Sequence, residues 1–196
     1  MDLAFVLVLP GLLWVQSWYL LGFYSNARAL GITAAGVAIV LFGIVLFQDK
    51  LPTAVITPQG ALLPVTTSIS IFVLLWAVYS ALVAGVYLWG LESRSLGFYS
   101  LFLWVSSVIF AAYFFLGGEI LDSGEVNHVS WLLGVVAILL AVLSAMLFFY
   151  LSLRPIGQGE PSSSAMRTVT GWFYMVFSAI VGILGGLLLL GLNPAF

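Results

Sequence analysis

The chain has 196 residues, of which 63% are hydrophobic and 6% charged, with a formal charge of −2. A soluble domain carries about 25% charged residues, so this composition excludes a water-soluble globular protein, and the acidic balance leaves no electrostatic footprint for nucleic acid. The absence of cysteine excludes disulfides, thiolate metal sites and cysteine nucleophiles.

With a mean hydropathy of +1.23, the chain reads as one transmembrane domain over residues 1–196. A bilayer core needs roughly 20 apolar residues per helix. The runs 3–24, 29–47, 67–90, 96–117, 129–153 and 168–191 meet that need, which predicts an all-α polytopic membrane protein with a six-helix bundle. Strand alternation is absent, and continuous helices satisfy the backbone in lipid. The N-terminus lacks a basic region and a convincing cleavage site, so 3–24 reads as a retained first helix.

In chain order, helix 1 holds Pro10-Gly11, which can kink it, followed by Trp14, Gln16, Ser17 and Trp18. Helix 2 carries Gly31, Ala34, Ala35 and Ala38, small residues that let a neighbour approach closely. The loop 48–66 contains Pro52, Pro58 and Pro64 and is expected to be ordered without helix. Helix 3 places Ala77, Ala81 and Gly85 on one edge and Trp76, Ser80, Val83 and Tyr87 on another, with Tyr79 beside Ser80. Helix 4 repeats Tyr99, Ser106 and Tyr113 along one stripe and sets Ser106 and Ser107 at mid-depth. The loop 118–128 is acidic, with Glu119, Asp122 and Glu125 before His128. Helix 5 starts at Trp131 and aligns Ala137, Ala141 and Ala145, and helix 6 spaces Ser178, Gly182 and Gly186 by four. The pentapeptide LGFYS occurs at 21–25 and 96–100 in unlike surroundings and reads as coincidence.

Arg28, Arg94, Arg154 and Arg167 fall on one side of this topology and Lys50 on the other. The basic side faces the cytoplasm by the positive-inside rule, which sends both termini outward.

No Asp, Glu, Lys, Arg or His lies within a predicted span. Ion-coupled carriers accept the cost of intramembrane charge for function, so the pattern argues against ion coupling and leaves passage of a neutral solute open. A lone histidine cannot supply a bis-histidine haem site or a multi-histidine metal site, and His128 with its acidic neighbours reads as a solvated loop. No nucleotide-binding motif or hydrolytic triad is present. The chain therefore reads as a non-enzyme with no metal or cofactor. The mid-depth polar set is Gln16, Ser17, Tyr79, Ser80, Ser106, Ser107, Ser144 and Ser178. Each hydroxyl fits interhelical packing or a pore lining, and Gln16 is the one amide in a span.

Gly90-Leu91-Glu92 followed by Leu96-Gly97-Phe98-Tyr99-Ser100-Leu101-Phe102 resembles the turn and fourth-helix start of bacterial urea channels and short-chain amide transporters. Trp131-Leu132-Leu133 and Thr170-Gly171-Trp172 are similar to the starts of that family's fifth and sixth helices. The resemblance implies a twisted six-helix bundle in a hexamer, with a pore in each protomer for urea or a small amide in the bacterial inner membrane. On that reading Trp14, Gln16, Ser17, Trp18, Trp76, Tyr79, Ser80, Tyr99, Ser106, Ser107 and Trp131 are the pore-lining candidates, Trp14 and Trp18 narrowing the path around Gln16. The chain departs from the family in helix 5, where Val136, Ala137, Leu139 and Leu143 stand in place of further tryptophans, and in helix 1, where Gln16-Ser17-Trp18 replaces an Asn. The alternatives are a structural accessory subunit of a larger membrane complex and a lipid- or quinone-binding protein.

Overall fold

The computed structural model describes residues 5–23, 26–48, 55–56, 62–63, 65–116, 118–120, 126–128, 131–152 and 164–189. Six helices form where the apolar runs predict them: α1 (Phe5–Leu21), α2 (Ala27–Gln48), α3 (Val65–Trp89), α4 (Ser93–Leu116), α5 (Trp131–Ser152) and α6 (Ser164–Leu189). Two short antiparallel pairs lie outside them. β1 (Val55–Ile56) pairs with β2 (Leu62–Leu63), and β3 (Gly118–Ile120) pairs with β4 (Val126–His128). The sequence reading expects no strands, and the difference has a simple cause: ladders this short carry no readable alternation. Lys50, Asp122, Glu125 and Arg154 lie outside the described residues, as do the side chains of Glu119 and His128.

Residue chemistry sets the helix ends. α1 stops at Gly22, whose φ of +78° is the left-handed conformation that glycine adopts without a Cβ clash. The Gly22 N–H donates to Tyr19 O at 3.1 Å and the Phe23 N–H to Trp18 O at 3.0 Å. This paired pattern is the Schellman motif, and the Trp18 and Phe23 rings that it brings together stand 5.8 Å apart. The Arg167 side chain completes the cap from α6: Nε donates to Leu20 O at 2.8 Å and an Nη to Tyr19 O at 3.1 Å. A cation on carbonyls that lack intrahelical donors is favourable for both hydrogen bonding and the helix dipole. α2 starts under Asn26, whose Oδ1 accepts the Arg28 N–H at 3.0 Å, as an N-cap does.

The Gly22 cap ends α1 before the predicted 24. Its 17 described residues rise about 25 Å at 1.5 Å per residue. The other five helices are long and apolar enough to cross a membrane, and the protein is a multi-pass membrane protein. The exterior is correspondingly apolar, with Ile32, Ile39 and Phe47 on α2, Phe98, Phe102 and Ile109 on α4, and Trp172, Val176 and Ile183 on α6 all exposed.

Each helix packs on its sequence neighbours and α6 returns to α1, closing a ring. The tightest pairs are α1 with α6, α2 with α3, and α4 with α5. The α1–α6 seam has a traceable origin. Pro10 has no N–H, so Val6 O loses its helical donor. Gly185 comes closest at that carbonyl, where a Cβ would stand 2.7 Å from it. Close approach of α6 to α1 falls at Gly185 and at Gly171, where a Cβ would stand 2.8 Å from Leu21 Cγ. A Cβ on Gly182 would only touch Pro10 at 3.7 Å, and one on Gly186 would meet nothing within 4 Å. The α4–α5 crossing has a similar contact, since a Cβ on Gly97 would overlap Ser152 Oγ and stand 2.9 Å from Leu151 Cβ. The two LGFYS copies thus do different work: Gly22 ends one helix and Gly97 admits a neighbour to another.

Gly185→Val should lower stability by about 1–3 kcal/mol, the usual cost of overpacking a tight contact. Gly186→Val, one residue on, should change it little. Thermal unfolding of both in one detergent checks the pair; equal midpoints would contradict the seam.

Candidate functional site

The ring brings a small set of polar side chains together inside an apolar core. Gln16 on α1, Tyr79 on α3 and Tyr174 on α6 are each about 1% exposed. The Tyr79 O–H donates to Gln16 Oε1 at 2.9 Å. The Tyr79 and Tyr174 hydroxyls lie 3.4 Å apart, and the Tyr174 O–H reaches Leu143 O on α5 at 3.3 Å. Four of the six helices meet in this node. Its Gln16 end is a well-formed bond; its Tyr174 end is slack, because 3.3–3.4 Å exceeds the usual 2.5–3.0 Å range for hydroxyl donors. The node carries an amide carbonyl and two phenols and no charge at neutral pH. It can exchange hydrogen bonds with a neutral solute.

Apolar and aromatic residues enclose the node. On the side of the α1 N-terminus, Phe5, Phe72, Phe110 and Phe114 form a cluster with ring centroids 4.9–6.1 Å apart. On the arginine side, the Tyr19 and Tyr87 rings meet edge to face at 4.9 Å. Trp76 is buried and its indole packs edge-on against Tyr79 at 5.2 Å.

The other candidates divide by helix face. Trp14 and Trp18 are 39% and 37% exposed and meet edge to face, 6.2 Å apart, on the outer side of α1. They do not flank Gln16 in space, because a step of two residues turns a helix by about 200°. Ser17 Oγ donates to Trp14 O at 2.6 Å and Ser80 Oγ to Trp76 O at 2.9 Å, so both hydroxyls bond within their own helices. Ser144 and Ser178 do likewise, to Leu140 O and Met175 O. Tyr99 is half-buried and its O–H donates to Leu75 O at 2.8 Å, tying α4 to α3. The Tyr99–Ser106–Tyr113 stripe runs along the half-buried edge of α4, whereas Ser107 faces the core and is fully buried. Trp131 is the first residue of α5, and its side chain lies outside the described residues.

Tyr174 is the member that the sequence reading misses. Thr170, Tyr174 and Ser178 are buried at four-residue spacing, so extending the Ser178 stripe by one turn would have found it. Among the described residues no group of three or more His, Cys, Asp or Glu is placed to hold a metal.

Neither a scan against protein-family models nor a search of curated proteins finds a match. Solved structures do. The crystal structure of the urea channel from the human gastric pathogen Helicobacter pylori aligns with a TM-score of 0.67 at 19% identity, over 97% of this chain and 98% of that one. The cryo-EM structure of the Helicobacter pylori urea channel in a closed state aligns with a TM-score of 0.68 at 16% identity, over the same shares. At these identities the likeness is one of fold, and it spans the whole bundle, including α1, where the sequence motifs are sparse.

Removing the Tyr79 hydroxyl tests whether the node is a dry structural bond. Tyr79→Phe leaves Gln16 Oε1 without its donor, and should cost about 1–3 kcal/mol for a buried orphan. Combined with Gln16→Leu, the loss should be less than the sum, because the two groups share one bond. Denaturation of the four proteins of this cycle measures the coupling, and additive losses would show that the pair does not act as a unit.

Proposed function

We propose that the protein is a passive pathway for urea or another small neutral amide across the bacterial inner membrane. The observation that carries this reading is the buried, uncharged amide–phenol node at Gln16, Tyr79 and Tyr174, set inside a fold shared with urea channels. A planar amide presents one carbonyl acceptor and N–H donors, the groups that Gln16 itself presents. Such a solute can take the place of one node contact at a time, and the slack Tyr174 end is where the exchange is cheapest. Charge supports the reading too. Among the described residues, the charged side chains within helices are Arg28, Arg94 and Arg167, each in a first turn on one side of the bundle. Transport that depends on its own gradient alone needs no ionisable group at depth.

The arginine side faces the cytoplasm in this proposal and both termini face outward. The apolar exterior is covered by lipid and by further copies of the chain, assembled as a hexamer in line with the family resemblance. A second reading has one observation in its favour: the node is closed and buried, as in a bundle that only packs. In that case the chain is an accessory subunit of a larger membrane assembly.

Urea uptake into liposomes holding the pure protein separates the two. The channel reading expects uptake that follows the urea gradient and ignores an imposed pH difference or membrane potential. It also expects Gln16→Leu to cut urea flux roughly tenfold, the equivalent of one hydrogen bond of about 1.4 kcal/mol. The packing reading expects no uptake above that of empty liposomes and a Gln16→Leu effect on stability alone.

Orientation is tested separately. The chain has no native cysteine, so Glu92→Cys on the exposed turn before α4 should resist an impermeant thiol reagent added outside cells, and Ser123→Cys should react. The reverse labelling would invert the bundle.

A further inference from the structure

Buried polar atoms normally have partners. Among the described residues five side-chain atoms are buried without one: Trp76 Nε1, Ser107 Oγ, Ser152 Oγ, Thr170 Oγ1 and Arg94 Nε. The first four sit on neutral groups. Arg94 Nε belongs to a full charge, and a charge drawn away from water needs a counter-ion more than a hydroxyl needs an acceptor. The three arginines of the described helices differ in this respect. Arg167 directs its donors to Tyr19 O and Leu20 O, and Arg28 is exposed. Arg94 is half-buried in the first turn of α4, and its guanidinium lies against the Phe98 ring, 5.9 Å from Cζ to the centroid.

Phe98 opens an apolar stripe on the outside of the bundle. Phe98, Phe102, Val105 and Ile109 follow Arg94 at steps of four, four, three and four residues, which keeps all five on one face of α4. The four apolar members are each at least half exposed. From Phe98 to Ile109 the helix rises about 16 Å, which matches one leaflet of a hydrocarbon core about 30 Å thick. The face thus has a charged head at the end of the helix and an apolar track one leaflet long. Phe148 on α5 backs the head, with its ring 6.3 Å from that of Phe98.

We propose that this face binds one anionic phospholipid from the leaflet on the arginine side, with its phosphate on Arg94 and an acyl chain along Phe98, Phe102, Val105 and Ile109. Charge and shape together select this occupant. A guanidinium is planar and weakly hydrated and pairs with phosphate oxygens through two N–H groups at once. With Nε closed in by the protein, the two Nη groups are the donors left for an oxyanion. A zwitterionic lipid brings its own cation to the phosphate, whereas an anionic one leaves that charge to the arginine. A free phosphate gains nothing from the apolar track. The described helices of a second copy carry no carboxylate to offer Arg94. The inference does not depend on the transported solute; it needs only the membrane.

The test uses the full-length protein in detergent, given phosphatidylglycerol and phosphatidylcholine of the same acyl chains in equal amounts, with bound lipid counted by native mass spectrometry. The wild type should retain phosphatidylglycerol over phosphatidylcholine about fivefold, the gain from one arginine at an anionic head group. Arg94→Gln should bring that ratio close to one. Arg28→Gln removes the same formal charge from an exposed position and should leave the ratio almost unchanged. Phe102→Ser should lower retention of both lipids while keeping their ratio. Equal retention of the two lipids by the wild type would overturn the site however the variants fold. So would equal losses in Arg94→Gln and Arg28→Gln, which would mean a general attraction of anions to the basic side. Displacement of phosphatidylglycerol by excess inorganic phosphate would reduce the site to one for a free anion and refute the lipid. An intact lipid ratio in Arg94→Gln with an altered oligomer size would give the face to a second copy instead.

Discussion

The seam between α1 and α6 is the contact on which the rest of the bundle depends. Sequence-adjacent helices are tethered to one another by a single connection; the first and last must meet across the whole chain. Two backbone features hold them. At one end Pro10 strips Val6 O of its donor and Gly185 lets the α6 backbone close on that carbonyl. At the other end Arg167 reaches from the first turn of α6 to Tyr19 O and Leu20 O. In a medium as apolar as the side chains, helix association rests on close packing and on satisfying polar groups, and this seam does both. Ring closure then brings Gln16 and Tyr174, far apart in sequence, to the same hydroxyl of Tyr79.

The same closure explains what could and could not be read from the residues. Six apolar runs were legible because lipid demands uninterrupted helices, and the observed helices depart from the predicted spans by only a few residues. One departure lies at the Gly22 cap, where a local turn ends a helix that hydropathy would continue. Gln16 was legible as unusual, being the one amide in a predicted span. Its partners were not, because Tyr79 and Tyr174 reach it through tertiary closure that no local spacing encodes. Trp14 and Trp18 misled for the opposite reason: proximity in sequence at a step of two means opposite faces of a helix.

The serines sort by a finer rule. Ser17, Ser80, Ser100, Ser144 and Ser178 return their hydroxyls to their own helices, which makes them nearly apolar as seen from outside. A buried serine bonded in this way can sit in a packed core at little cost, and its presence does not mark a path. Ser107 and Ser152 differ in chemistry and not merely in position, because their buried hydroxyls find no hydrogen-bond partner among the described residues. A polar site inside an apolar bundle is therefore better recognised by unsettled hydrogen bonds than by a count of hydroxyls.

A solute sheds water as it enters, and each lost hydration bond must be replaced for passage to be fast. Yet a replacement that is too strong holds the solute in place. A graded arrangement meets both demands. Gln16 is held firmly by Tyr79, and Tyr174 is held loosely. The phenylalanine cluster around Phe72 excludes bulk water from one approach, which keeps each of these bonds worth making. The fold thereby gathers polar groups at Gln16, Tyr79 and Tyr174 inside an apolar bundle, and among the described residues keeps the charged side chains of its helices in their first turns.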